Sequence, residues 1–230
     1  MQFQDRYEAG ERLAEALADL KGRPDLLVLG IPRGGVVVAS VVARALSAPL
    51  DVVISRKIGA PDNPELAIGA VASGGARVLD ARLIRMLGVP RHYVEAEMAR
   101  QEMEIARREA IFRGDRPPLE IGGRTVIVVD DGIATGATTV ATLRALRQKD
   151  PAELILAVPV APRQAIRRLQ READRVVCLL TPRLFWAVGL YYAYFEQTTD
   201  EEVINLLRAQ EGAGQSRGDG KDEPGGHEAE

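Results

Sequence analysis

A chain of 230 residues with 46% hydrophobic and 27% charged residues has the balance of a globular protein of one large or two small domains. It is long enough to bury about 70% of its unfolded surface without a disulfide or metal staple. A net charge of −3 gives no general attraction to nucleic acid or to an anionic membrane, so neither is expected as a partner.

The apolar runs fall well short of the ~20 residues that span a bilayer. The opening 1-MQFQDRYEAG-10 lacks the apolar core of a signal peptide, so we expect a soluble, cytoplasmic protein. In chain order, the strand candidates are 26-LLVLGI-31, 51-DVVIS-55, 125-TVIVVD-130, 154-LILAVPV-160 and 175-RVVCLL-180. These runs are continuous rather than alternating, as parallel strands covered on both faces require. Between them lie helix-like segments at 36–46, 137–149 and 163–173, and weaker strands are expected within 67–79. The economical reading is an α/β fold, a doubly wound and mainly parallel sheet with helices on both faces. The lone Cys178 cannot form an internal disulfide and, in its apolar run, reads as a buried inert thiol.

Residues 81–113 break the rhythm. The stretch 92-HYVEAEMARQEMEIARREAIF-112 predicts one or two charged helices, with Met98, Ile105 and Phe112 along a stripe packed on the core. His92 reads as a surface or capping residue. From about 209 the chain turns Gly-rich and charged, and 209–230 is expected to be a disordered tail. The first 208 residues then form one domain.

The chemistry concentrates in 126-VIVVDDGIATGATT-139. In open α/β sheets ligands bind beyond the carboxyl ends of strands. Here the strand ends in Asp130 and Asp131, and a loop of small and hydroxyl residues then runs into a helix. Small residues let backbone N–H groups approach an anion. Thr135, Thr138 and Thr139 add hydroxyls, and the helix N-terminus adds its positive dipole end. Two carboxylates beside a phosphate cradle would repel the phosphate, so they must face another part of the ligand. Sugar hydroxyls, which donate hydrogen bonds, fit that requirement. A P-loop would need a Lys before the threonines and none is there. A receiver-type phosphoacceptor would not need the neighbouring cradle.

This stretch closely resembles the 5-phosphoribosyl-1-diphosphate signature of type I phosphoribosyltransferases: an apolar strand, two acidic residues, two more residues, then a small–Thr–Gly–x–Thr loop. The resemblance implies that Asp130 and Asp131 hold the ribose 2- and 3-hydroxyls. It also implies that Ala134, Thr135, Gly136, Ala137, Thr138 and Thr139 wrap the 5-phosphate. In 28-VLGIPRGGVVVA-39, Arg33, Gly34 and Gly35 then resemble the family's diphosphate loop, whose peptide geometry sequence cannot reveal. In 52-VVISRKIGAPDNPELAIGAV-71, Arg56 and Lys57 resemble the family's cationic pair, with 58–66 as a mobile lid. The resemblance covers about 26–180, with the three segments in the family's order.

What it implies is transfer of a phosphoribosyl group to a nitrogenous base with release of diphosphate, in nucleotide metabolism, by a homodimer. Asp130, Asp131, Arg56 and Lys57 are the implied catalytic groups. Mg²⁺ is the implied cofactor, supported by Asp130 and Asp131 indirectly, through water or ribose. Ala134 stands where 6-oxopurine enzymes usually carry an Asp, and 156-LAVPVAPR-163 has no clear match to their helper Lys. The pattern is closer to adenine enzymes, and the acceptor stays open.

The aromatic-rich 181-TPRLFWAVGLYYAYFEQ-197, in a chain with 4% aromatics, reads either as a sheet-edge or dimer patch or as the family's hood. On the second reading the hood spans 181–208 with help from the N-terminal segment, and Phe185 or Trp186 stacks on the acceptor. A regulator that senses the same diphosphate sugar is the alternative function.

Overall fold

The computed structural model describes residues 2–114, 116–118 and 120–215. Its strands are β1 (Leu26–Gly30), β2 (Leu50–Val52), β3 (Ser55–Ala60), β4 (Asn63–Ala72), β5 (Ala76–Leu79), β6 (Thr125–Val129), β7 (Glu153–Val160) and β8 (Arg175–Leu180). Its helices are α1 (Arg6–Ala16), α2 (Gly34–Leu46), α3 (Ala81–Met86), α4 (Arg91–Arg113), α5 (Ala137–Arg147), α6 (Arg163–Leu169) and α7 (Asp200–Gln215).

Five strands form one parallel sheet in the order β2-β1-β6-β7-β8. Alternate residues of each run face opposite ways, and both faces are covered, which is why the runs are apolar throughout. Val28, Ile127 and Ile155 pack with Val38 and Val42 of α2 and with Val203 and Leu207 of α7. Leu27, Leu29, Val128 and Leu156 pack on the other side with Leu143 and Leu146 of α5 and Leu169 of α6. The doubly wound expectation holds.

The run 51–55 is not one strand. β2 ends at Val52, after which Val53 N donates to Gly30 O at 3.0 Å. Ile54 is then captured by Ser73, whose Oγ accepts from Ile54 N at 2.9 Å while Ser73 N donates to Ile54 O at 2.8 Å. That clasp turns the chain out of the main sheet and into a separate antiparallel sheet, β3-β4-β5. Residues 58–66, expected as a lid, fall on this hairpin, at the end of β3, the turn and the start of β4.

The charged segment 81–113 forms two helices, and Val94, Ile105 and Phe112 of α4 are buried, with Met98 packed beside them. His92 is exposed. α7 continues helically to Gln215, past the compositional shift at 209. Residues 216–230, most of the expected tail, lie outside the described residues. Among those described, no helix is long and apolar enough to cross a membrane.

Candidate active site

β1 and β6 are neighbours, and the chain winds outward from them in both directions, to β2 on one side and β7 on the other. A crevice at the carboxyl ends of the strands opens at such a switch point. Two loops meet there. Ile31 N donates to Val129 O at 2.9 Å, which carries the loop after β1 alongside the end of β6. The Pro32–Arg33 peptide bond in that loop is cis, and α2 begins immediately afterwards at Gly34.

Gly34 and Gly35 make the close approach possible. A Cβ on Gly34 would overlap Asp131 Oδ2 and reach within 2.7 Å of Arg6 Nε. A Cβ on Gly35 would come within 2.9 Å of the Asp130 backbone. The glycine loop and the acidic pair are therefore packed against each other.

The acidic pair is tightly organised. Asp130 Oδ1 accepts from Asp131 N at 2.9 Å. Asp131 Oδ2 accepts from Arg6 Nε of α1 at 2.8 Å, and Asp131 O accepts from Tyr192 Oη at 2.5 Å. Burial, and after it the adjacent Asp131 carboxylate, push the Asp130 carboxyl well above the usual carboxylate range. Burial raises the Tyr192 phenol too, and Asp131 adds to the effect, so Tyr192 stays a protonated donor.

The next loop ends at Gly136, which takes the left-handed conformation at φ 72°, a position that suits glycine. Gly136 has no side chain to cap α5, and Ala137 N at the helix start donates to Thr135 Oγ1 at 3.4 Å. Ala134, Thr135, Ala137 and Thr138 are exposed along it, whereas Thr139 is 2% exposed. Arg168 of α6 donates to Thr135 O and braces the loop from outside. From the other side, Ser55 Oγ lies 2.6 Å from Thr142 Oγ1, which donates to Thr138 O at 2.9 Å. The start of β3 is thus tied to the first turn of α5.

This arrangement places a helix start and a carboxylate pair beside a glycine loop that packs on the carboxylates. Residues 2–194 match the sequence model of the family described as the phosphoribosyl transferase domain. The chain belongs to that family.

Within the phosphoribosyl transferase family, a Mycobacterium tuberculosis protein named for phosphoribosyl transfer, Rv0571c, is 45% identical over 205 residues, covering 89% of this chain and 46% of that protein. The chain thus spans about half the length of the curated relatives it matches. A crystal structure of TT1426 from Thermus thermophilus is similar with a TM-score of 0.84 at 48% identity, covering 91% of this chain and 99% of that one. The bifunctional protein PyrR of Deinococcus radiodurans is 32% identical over 120 residues, covering 50% of this chain and 64% of that protein.

Of the residues singled out from the sequence, Arg33 to Gly35, Asp130, Asp131 and Ala134 to Thr139 come together at the β1 and β6 ends. Arg33 turns its guanidinium toward Asp200 at the start of α7, at 3.6 Å. Arg56 and Lys57 do not form a single cationic pair, since neighbours on a strand point to opposite faces. Arg56 Nε donates to Gln101 Oε1 of α4 at 2.9 Å, and Lys57 shares the face through which Ser55 reaches α5. Phe185 stacks on Tyr191 with centroids 5.5 Å apart, and Trp186 is 82% exposed.

Arg6 escaped the sequence reading because nothing local marks it. It stands 125 residues from Asp131 and opens an unremarkable helix. The N-terminal segment joins 188–194: Phe3 N donates to Tyr191 O and Ala193 N to Phe3 O, both at 2.7 Å.

Proposed function

We propose that the site at the β1 and β6 ends binds 5-phosphoribosyl-1-diphosphate and transfers its phosphoribosyl group to a nitrogenous base, releasing diphosphate. The observation that carries this reading is the packing of Gly34 on Asp131 beside the loop that opens α5, with family membership behind it. One ligand that meets all three features needs vicinal hydroxyls for the acids, a phosphate for the helix start and a second anionic group for the glycine loop.

On this reading the loop from Ala134 to Thr139 takes the 5-phosphate through backbone amides and hydroxyls. Asp130 and Asp131 accept from the ribose hydroxyls. The backbone of Gly34 and Gly35, with Arg33, takes the diphosphate. Bond breaking at C1 builds positive charge on the sugar and negative charge on the leaving group. The chain's work is to hold these charges in place and keep water out. Lys57, on the same face of β3 by strand alternation as Ser55, is a cation for the diphosphate on this reading. Arg56, engaged with Gln101, supports the small sheet.

A hard cation such as Mg²⁺ suits two carboxylates and phosphate oxygens. When bound it neutralises diphosphate charge. Among the described residues no group of three or more His, Cys, Asp or Glu side chains converges. The protein's share is thus Asp130 and Asp131, acting through water or sugar.

A second reading, a sensor that binds the diphosphate sugar without turnover, draws support from the outward Trp186 and from Phe185 lying on Tyr191. The test is to mix the protein with the diphosphate sugar, Mg²⁺ and a panel of purine, pyrimidine and related bases, and to follow diphosphate release. Release with one base class supports the enzyme. Saturable donor binding without release for any base supports the sensor.

A further inference from the structure

Arg6 is the first residue of α1, and Asp5 fixes that helix start by accepting from Tyr7 N and Glu8 N at 2.8 and 2.9 Å. From this anchored position the Arg6 side chain, 12% exposed, reaches three groups at once. Nε donates to Asp131 Oδ2 at 2.8 Å, and Nη1 donates to Glu196 O at 2.8 Å. The guanidinium carbon lies 3.9 Å from the centroid of Phe195. Phe195 in turn stacks on Tyr192 at 4.9 Å, the residue whose hydroxyl holds the Asp131 carbonyl.

Asp131 is therefore gripped twice, on its carboxylate by Arg6 of α1 and on its backbone by Tyr192, and Phe195 touches both holders. A planar guanidinium suits this task, because it can donate in two directions while stacking on a ring.

We infer that Arg6 is a positioning residue of the ribose grip: it orients the Asp131 carboxylate and couples it to the 188–196 segment. The inference rests on the donor-binding reading above. An Arg that merely bolted the N-terminus to the aromatic segment would have no need of the carboxylate edge, and Gly34 would have no need to pack on the pair. The charged and titratable groups around the carboxylates are Arg6 from α1, Asp130 beside it and Tyr192 from the aromatic segment. Arg33 lies in the adjoining loop with its guanidinium turned to Asp200. Arg6 is thus the cation in direct contact with the pair.

The test measures binding of 5-phosphoribosyl-1-diphosphate and of inorganic diphosphate, each with Mg²⁺, by calorimetry at pH 7 in the natural protein, Arg6→Gln and Arg6→Lys. Affinity for the sugar should fall about tenfold in Arg6→Gln, the scale of one lost charge-assisted hydrogen bond. Inorganic diphosphate has no ribose hydroxyls for Asp131 to hold, so its affinity should be unchanged. Arg6→Lys should recover only part of the affinity for the sugar, because an ammonium cannot hold Asp131 and Glu196 O while stacking on Phe195.

Natural affinity for the sugar in Arg6→Gln, or equal losses for the sugar and for inorganic diphosphate, overturn the inference. If that variant does not fold, Arg6→Lys decides: natural affinity for the sugar overturns it, and reduced affinity for the sugar with natural affinity for inorganic diphosphate supports it. Absence of donor binding by the natural protein overturns the donor reading and this inference together.

Discussion

Gly34 and Asp131 are in such close contact that the glycine's missing side chain is the space the carboxylate occupies. They come from loops nearly a hundred residues apart, one in the glycine loop after β1 and the other in the acidic pair after β6.

Gly34→Ala should therefore damage function more than fold. The added methyl forces Asp131 or the loop to shift, at a cost of about 1–3 kcal/mol. Donor affinity should fall at least about tenfold, because both halves of the grip are displaced. Thermal unfolding and donor titration on the same preparation check this. Unchanged affinity would show that the two loops do not act on one ligand.

Asp130→Asn separates stability from binding. The Asp130 carboxyl sits above its usual range because burial and then Asp131 disfavour its charge. A carboxyl whose folded value lies above its unfolded one favours the fold when protonated. That advantage is present below the unfolded value and is lost as pH rises through the folded one. The amide cannot ionise, so Asp130→Asn should be more stable than the natural protein at pH 7, by roughly 2–4 °C in Tm per kcal/mol regained. The difference should shrink toward pH 4, while donor binding is lost. Melting curves across that range test the sign.

How far such relationships are legible in the sequence depends on whether they are local. The continuous runs at 26–30, 125–129 and 154–160 predict parallel strands because each residue there is buried on one face or the other, and the partly buried 175–180 completes the sheet at its edge. The acidic pair and its loop are legible because strand, acids and cradle are contiguous. The 51–55 run misleads, since Val53 and Ile54 are as β-prone as Val52, and only the distant Ser73 ends the strand. Arg56 and Lys57 look like a pair in sequence, and strand alternation separates them. Arg6 is silent because its meaning comes from residues at the far end of the chain.

Arg113 and Asp51 hold the edge of the main sheet to α4. Their side chains are 9% and 7% exposed, with Arg113 Nε 2.9 and 3.0 Å from the two Asp51 oxygens and Nη2 donating to Val52 O at 2.9 Å. Arg113→Ala strips the guanidinium from a buried carboxylate and should cost about 3–5 kcal/mol. Urea denaturation measures it, and a loss under about 1 kcal/mol would mean the edge is held by apolar packing alone.

Cys178, expected to be buried, is only partly so on β8, yet it should behave as an inert thiol. Burial pushes it up to about 11, outweighing hydrogen bonds from its surroundings. Little thiolate forms at pH 8, and only the thiolate reacts. Iodoacetamide should label the native protein slowly and the denatured protein promptly. Rapid native labelling would place β8 in a more open setting.

The central claim is that the acidic pair and the glycine and threonine loops grip one diphosphate sugar. Its most direct measurement is calorimetric titration of the natural protein and Asp131→Asn with 5-phosphoribosyl-1-diphosphate in the presence of Mg²⁺. Saturable binding to the natural protein, weakened severely in Asp131→Asn while thermal stability is kept, is the expected result. Equal affinity in the two proteins, or none in the natural one, would contradict it.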